Sequence, residues 1–357
     1  MSGIVAVRKA STGSRSDALS TGVATLEDDV SVRLGSVTDM TTSDPVSRQM
    51  KATCPEDLLA FVPVAIGFPP ARSVVLLSVE GARPFHARID LPADESDVDD
   101  VLEALLRPAR RHDISKVVFV VYDDDTAIAD EVAWCLHGGF TDAGIEVFEL
   151  LRVHDGHYFA VLPGRGPEAY RGIPFEIGHH PFAVESVFGG RVTHSSREAL
   201  AATVARDPGG SELVAGFVAT SQPLAPAAMR PCIARLAASR LPAPPVAVAA
   251  LAVSLAQPDL RDEAWRWVTR ETARPYVEFW SGIVRRTPEE LVPGPASVLA
   301  FVAWLAGEGA LAWCAVDRAR AVAPEHSLAG LVAQMLTSAT SPDLWGVIGR
   351  DSAEGAA

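Results

Sequence analysis

The sequence has few cysteines, and no two of them lie at the spacing of a metal or redox motif. Four occur in 357 residues: Cys54, Cys135, Cys232 and Cys314. Small secreted domains depend on dense disulfide frameworks, and structural zinc sites use closely spaced cysteine pairs. We therefore expect four free thiols in a reducing compartment, which favours a cytoplasmic protein.

Long apolar runs and an excess of basic residues are also lacking. The longest apolar stretch, Val246 to Leu255, is too short to cross a bilayer, and no apolar run follows Arg8 and Lys9 as it would in a signal peptide. The formal net charge is −14, whereas nucleic acids and anionic membranes attract basic surfaces. We expect a soluble intracellular protein that binds neither nucleic acid nor membrane.

The most informative stretch that is present reads KVVFVVYDDD, from Lys116 to Asp125. An unbroken, valine-rich apolar run is typical of a strand that is buried on both faces of a sheet. The apolar segments Ser73 to Val79 and His86 to Leu91 flank Gly81 and predict an antiparallel hairpin, and Asp155-Gly156 predicts a second hairpin. Strands that alternate with helices in this way predict an α/β domain with a mixed sheet.

Capping patterns and glycines predict several helix boundaries. Thr53 and Glu56 have the spacing of a capping box, and Ser195 and Glu198 have it again, so Ser195 is expected to cap a helix. The helix after the central strand, from Ala127 to Leu136, is expected to end at Gly138-Gly139.

Composition and periodicity divide the chain into an α/β N-terminal domain and an all-α helical C-terminal domain, with a tail at each end. Residues 1–50 are rich in Ser, Thr, Asp and Gly and are expected to be mostly disordered, with at most a short strand near Val30 to Leu34. Residues 51–207 form the α/β domain. Within it, residues 163–194 lack periodicity, which is typical of a lid or another functional segment. Apolar residues at helical spacing, interrupted by prolines, predict the all-α domain at 208–349, and residues 350–357 should be frayed.

Several of these runs together resemble one protein family. They are PEDLLAFVPVAIGFPPARSVVLLSV (Pro55 to Val79), HARIDLP, KVVFVVYDD, SREAL (Ser196 to Leu200) and AWLAGEGALAWCAVDRARAVAPEHSLAGLVAQML (Ala303 to Leu336). In this order they resemble an actinobacterial domain of unknown function, family 4192. The resemblance implies no particular activity, since none is established for that family.

The acidic end of the central strand is the first candidate site. Ligands of α/β sheets bind at the carboxyl ends of strands, and an apolar strand that ends in Asp-x-Asp resembles the phosphoryl-transfer motif of haloacid-dehalogenase-like enzymes. In that motif one aspartate attacks phosphorus and the other helps to bind Mg²⁺; here they would be Asp123 and Asp125, with Asp124 and Thr126 as ligand-binding neighbours. This chain lacks the glycine of the motif. The alternative is that Asp124 or Asp125 caps the next helix while the other carboxylates face water.

Histidines in the irregular segment are the second candidate. His179 and His180 are adjacent there and are possible ligand-binding residues. His154 and His157 flank the second hairpin turn, but two rings on either side of a tight turn tend to diverge, which argues against a zinc site.

Two functions from different classes are compatible with these patterns. The favoured one is a non-catalytic cytoplasmic binding or scaffold protein without a cofactor, whose helical pairs contact a protein partner. The alternative is a Mg²⁺-dependent hydrolase or phosphoryl-transfer enzyme that uses Asp123 and Asp125, with residues 163–194 as its lid.

Overall fold

The computed structural model describes residues 32–38, 47–79, 85–188, 192–239 and 241–345, with side chains from residue 51 onward. Within the segment that was expected to be disordered, β1 (Val32–Thr38) and β2 (Ser47–Ala52) form an antiparallel pair. β1 overlaps the short strand that was expected near Val30 to Leu34, whereas β2 was not predicted. Their backbones pair with each other, and Ala52 at the end of β2 is buried in the core. The other residues of 1–50, and the tail at 350–357, lie outside the described residues.

A mixed sheet of six strands is the centre of the N-terminal half. The strands are β3 (Ser73–Ser78), β4 (His86–Asp90), β5 (Lys116–Tyr122), β6 (Glu146–His154), β7 (His157–Ala160) and β8 (Ile173–Pro174). Their spatial order is β4–β3–β5–β6–β7–β8; β5 and β6 are parallel, and the other neighbouring pairs are antiparallel. Both predicted hairpins are confirmed, and Asp155 and Gly156 have φ angles of 46° and 69°, as a type I′ turn requires.

Strand β5 is an interior strand, as its sequence predicted. Residues Val117 to Val121 are fully buried, because helices cover both faces of the sheet. Helix α1 (Pro55–Ile66) packs on one face, and α2 (Val98–Arg111) and α3 (Thr126–Asp142) pack on the other. This three-layer arrangement confirms the predicted α/β fold with a mixed sheet.

Helix α3 is longer than predicted. It continues through Gly138-Gly139 to Asp142, so the predicted end at these glycines is wrong. A Cβ atom at Gly139 would lie 2.5 Å from Cδ2 of Leu102 on α2, whereas one at Gly138 would have no atom within 4 Å. Gly139 therefore lets α3 approach α2 closely and does not end the helix.

Residues 163–194 contain more regular structure than predicted. Helices α4 (Pro167–Arg171) and α5 (Pro181–Phe188) lie on either side of β8 in the chain. Strand β8 pairs with β7, and Phe182 on α5 packs edge-on against Phe61 on α1, with ring centroids 6.4 Å apart. The prediction of an irregular segment is wrong for these stretches, because sheet pairing and aromatic packing order them.

All regular elements of the C-terminal half that the structure describes are helices, which confirms the predicted all-α region. They surround one helix, α12 (Pro293–Leu305), every residue of which is buried. Ser196, and not the predicted Ser195, caps the first of them, because its hydroxyl accepts a hydrogen bond from Ala199 N at 3.1 Å. Among the described helices, none is long and apolar enough to span a membrane. The helices are α6 (Arg197–Ala202), α7 (Pro208–Val218), α8 (Pro226–Ala237), α9 (Pro245–Leu255), α10 (Pro258–Trp265), α11 (Ala273–Arg286), α12 (Pro293–Leu305), α13 (Gly309–Arg320) and α14 (Ser327–Thr337).

One of the contacts between the two halves of the chain lies at the C-terminal end of α2. The guanidinium of Arg111 donates a hydrogen bond to the carbonyl of Ser338, just after α14. Beside it, Nε2 of His112 donates to the carbonyl of Ala339 at 2.6 Å. These contacts tie the first half of the chain to the last described helix.

Candidate functional site

The carboxyl end of β5 carries Asp123, which is turned into the protein. Its exposed fraction is 7%. One oxygen, Oδ1, accepts a hydrogen bond from Asp125 N at 3.2 Å, and Oδ2 is buried with no hydrogen-bond partner among the described residues. A buried carboxylate oxygen that accepts no hydrogen bond lowers the stability of a fold, so such atoms are uncommon in proteins. Asp123 Oδ2 is one of them.

The two neighbouring aspartates have separate partners. Asp125 is the N-cap of α3 and accepts a hydrogen bond from Ala127 N at 3.0 Å, one of the outcomes that the sequence left open. Asp124 lies 3.0 Å from Nδ1 of His154, while Thr126 is the first residue of α3. The three aspartates thus have different hydrogen-bond partners and do not share one. In the part of the chain with described side chains, no group of three or more His, Cys, Asp or Glu could hold a metal ion.

His180 contacts helix α1 rather than the aspartates after β5. Phe182 N donates a hydrogen bond to its Nδ1 at 3.2 Å, so Nε2 carries the proton and donates to Asp57 at 3.0 Å. His179 is exposed beside it. His180 therefore holds the start of α5 against α1.

Asp57 also replaces Glu56 in the interaction predicted at the start of α1. The backbone N–H and the hydroxyl of Thr53 donate to Asp57 Oδ2 at 2.7 Å and 2.9 Å, so the predicted Thr53–Glu56 capping box is wrong. Burial alone would raise the pKa of Asp57, but the hydrogen bonds from Thr53 and His180 outweigh it and hold that pKa below its ordinary value.

A cavity that the sequence did not reveal lies on the α1 face of the sheet. Its volume is about 270 Å³, and it opens between β6, β7, β8 and the short helix α4. Its walls combine apolar side chains with charged ones: Pro55, Glu149, Leu151, Tyr158, Ala160, Arg165, Gly166, Glu168, Ala169 and Ile173.

An ion pair between Glu149 and Arg165 forms one wall of this cavity. The side chain of Glu149 is 3% exposed and that of Arg165 is 25% exposed, and Arg165 Nη2 donates to Glu149 Oε2. Burial raises the pKa of Glu149. The charge of Arg165, the Leu150 N–H and the hydrogen bond from Arg165 lower it by a smaller amount, so the pKa stays above its ordinary value. Charged residues are rarely buried unless they are paired, so Arg165 is the group that allows Glu149 to be buried in this wall.

A bulge in β6 places Glu149 in the cavity. Val117 of β5 pairs with Val147, but the next residue, Val118, pairs with Glu149, so Phe148 is an extra residue in β6. An extra residue reverses the alternation of side chains, so Glu149 lies on the α1 face instead of sharing the face of Val147. The polar residue inside the apolar run VFELL was the available sequence signal, but simple alternation would place it on the wrong face.

The opposite wall is formed by Tyr158. Its hydroxyl donates a hydrogen bond to Glu56 Oε1 at 2.9 Å, which links β7 to the first turn of α1. Burial, and then the carboxylate of Glu56, raise the pKa of Tyr158, so this hydroxyl remains protonated at physiological pH. Its proton is committed to Glu56, and its oxygen can still accept a hydrogen bond.

The model of a family described as a domain of unknown function (DUF4192) matches residues 55–343. The chain belongs to this family. The match covers both the α/β half and the helical half of the DUF4192 chain, including the cavity and the Asp123 edge. No curated protein and no solved structure is significantly similar to the DUF4192 chain.

Proposed function

We propose that this DUF4192 protein is a non-catalytic, cytoplasmic binding protein from an actinobacterium. It takes a small molecule in the cavity between α4 and the sheet, and it contacts a protein partner through its helical half. The observation that carries the proposal is the cavity itself, in which a buried ion pair lies beside an apolar floor. Ligand sites generally combine apolar walls with a few fixed polar groups in this way.

A ligand screen with a blocked variant tests the binding function. Ala169 on α4 lines the cavity and is 8% exposed, so Ala169→Phe should fill part of the cavity. The exposed Ala228 on α8 provides the matched control Ala228→Phe. Compounds from a charge-diverse fragment set should raise the melting temperature of the wild type and of Ala228→Phe but not of Ala169→Phe. The proposal would be contradicted if no compound raised the melting temperature of Ala228→Phe more than that of Ala169→Phe.

The protein-partner part of the proposal is supported by an apolar pair on α7. Leu213 and Phe217 are four residues apart, so they lie on one face of the helix, and they are 63% and 41% exposed. The double variant Leu213→Glu/Phe217→Glu should lose a partner that the wild type retains in affinity capture, as quantified by mass spectrometry. Trp134→Glu, at an equally exposed apolar position on α3, should retain it. Equal capture by wild type and double variant would rule out this face.

A Mg²⁺-dependent hydrolase or phosphoryl-transfer enzyme is the second candidate, and one observation favours it. The buried Oδ2 atom of Asp123 has no hydrogen-bond partner among the described residues, as a metal ligand would in the absence of its ion. Under this alternative, Mg²⁺ or Mn²⁺ should raise the melting temperature of the wild type but not of Asp123→Asn. Asp125→Ala is the poorer test, because it also removes the N-cap of α3. An unchanged wild-type melting temperature would exclude the metal site.

A further inference from the structure

The cavity holds unused hydrogen-bond donors at Arg165. A guanidinium has five N–H groups, and the carboxylate of Glu149 is its one hydrogen-bond partner among the described residues. With a quarter of its side chain exposed, Arg165 can direct further N–H groups at a bound molecule. Their planar, forked arrangement suits a carboxylate.

Two hydrogen-bond acceptors line the same cavity. Glu168 follows Arg165 by three residues, and its carboxylate folds back over Gly166, where a Cβ atom would overlap it. Glu168 is exposed, so its charge is not committed to the protein interior. Tyr158 contributes a second acceptor, because its hydroxyl proton is donated to Glu56. Two acceptors in the lining of one cavity suit a positively charged ammonium group.

The remaining wall is apolar. Leu151, Ala160 and Ile173 present their side chains on the face of the sheet between the charged groups. A volume of about 270 Å³ is at or below the lower limit of pockets for drug-sized molecules, so the cavity suits a smaller ligand.

We infer that the cavity binds a small zwitterion with an apolar side chain, of the class of free aliphatic α-amino acids. Arg165 binds the carboxylate, Glu168 and Tyr158 bind the ammonium group, and the apolar wall holds the side chain. This inference rests on the proposed binding function and names its ligand class. A ligand with a single charge forms only one of these two charged interactions, so it should bind more weakly than the zwitterion.

Three probes that carry the same isobutyl side chain test the inference. L-leucine has both charges, 4-methylpentanoate has only the carboxylate, and 3-methylbutylamine has only the ammonium group. Isothermal titration of the full chain should show that L-leucine binds at least about tenfold more tightly than either single-charge probe, as expected when a site loses one charged hydrogen-bond partner. Tighter binding of either single-charge probe would overturn the inference.

Two variants at position 168 test the inference without disturbing the fold, because Glu168 is exposed. Glu168→Gln removes the charge that faces the ammonium group and should weaken L-leucine binding about tenfold, without weakening the binding of 4-methylpentanoate. Glu168→Lys should reverse the preference in favour of 4-methylpentanoate. Unchanged L-leucine binding in both variants would overturn the assignment.

The failure of this inference can be distinguished from failure of the binding function. If none of the three probes binds but the fragment screen finds compounds that Ala169→Phe blocks, the zwitterion is wrong and the cavity remains a binding site. If the screen also finds none, both proposals are wrong.

Discussion

Removing the guanidinium of Arg165 should strongly destabilise the fold, because it leaves Glu149 as an unpaired buried carboxylate. The Glu149 side chain is only 3% exposed, whereas that of Arg165 is 25% exposed. Truncating one partner of a buried ion pair costs about 3–5 kcal/mol. Since Arg165 is partly exposed, we expect Arg165→Met to lower the free energy of unfolding by the lower end of this range, about 3 kcal/mol.

The cost of this variant should decrease in acid. Burial already holds the pKa of Glu149 above its ordinary value in the wild type, and loss of Arg165 raises that pKa further. The folded variant then binds a proton more tightly than the unfolded chain does, so its stability rises as the pH falls through the raised pKa. The difference from the wild type should therefore be largest at neutral pH and smaller near about pH 5.

Urea unfolding, followed by circular dichroism at both pH values, measures these changes. The matched controls are Glu149→Gln and the double variant Arg165→Met/Glu149→Gln, which has no unpaired charge. The double variant should recover most of the stability that Arg165→Met loses at neutral pH. A loss in Arg165→Met that is equal at the two pH values, or a double variant no more stable than Arg165→Met, would refute the reasoning.

Three further predictions concern the elements around the two candidate sites. Gly138→Ala should raise the free energy of unfolding by about 0.8 kcal/mol through helix propensity. Gly139→Ala gains the same propensity but must displace the Leu102 side chain, so it should be less stable than Gly138→Ala by about 1 kcal/mol. Urea unfolding compares the two variants, and equal effects would contradict the packing role of Gly139. Asp125→Ala should lower the free energy of unfolding by about 1 kcal/mol, because it removes the cap of α3, whereas Asp125→Asn should keep most of that stability. Thermal unfolding of the two variants checks this, and a similar loss in both would argue against the cap. The fold lowers the pKa of Asp57, so its carboxylate contributes to stability above its ordinary pKa, and this contribution is lost as the pH falls through the lowered value. Asp57→Asn should therefore make the free energy of unfolding depend less steeply on pH in acid. An unchanged dependence would show that Asp57 does not contribute to it.

The sequence predicted elements whose signals are local. β5 was recognisable because its apolar run is continuous, and the turn at Asp155-Gly156 because its backbone conformation favours those two residues. The cap by Asp125 was an available alternative because an N-cap involves residues two or three positions apart.

Features that depend on packing were missed. The end of α3 was misplaced because the role of Gly139 depends on Leu102, which lies on another helix. The cavity was missed because Glu149 reaches it only through the bulge at Phe148, and its partner Arg165 lies beyond β7. A one-residue change of register has no signature in composition or in apolar periodicity.

The hydrogen bonds from Arg111 and His112 to the chain after α14 join residues 227 positions apart. A ribosome adds about 5–20 residues per second, so the carbonyls that satisfy the end of α2 are synthesised roughly 10–45 s after it. During that interval the side chains of Arg111 and His112 lack these two acceptors, so the end of α2 is not yet held to the segment after α14. A chain whose translation stops before Ser338 should therefore unfold at a lower urea concentration than the complete chain.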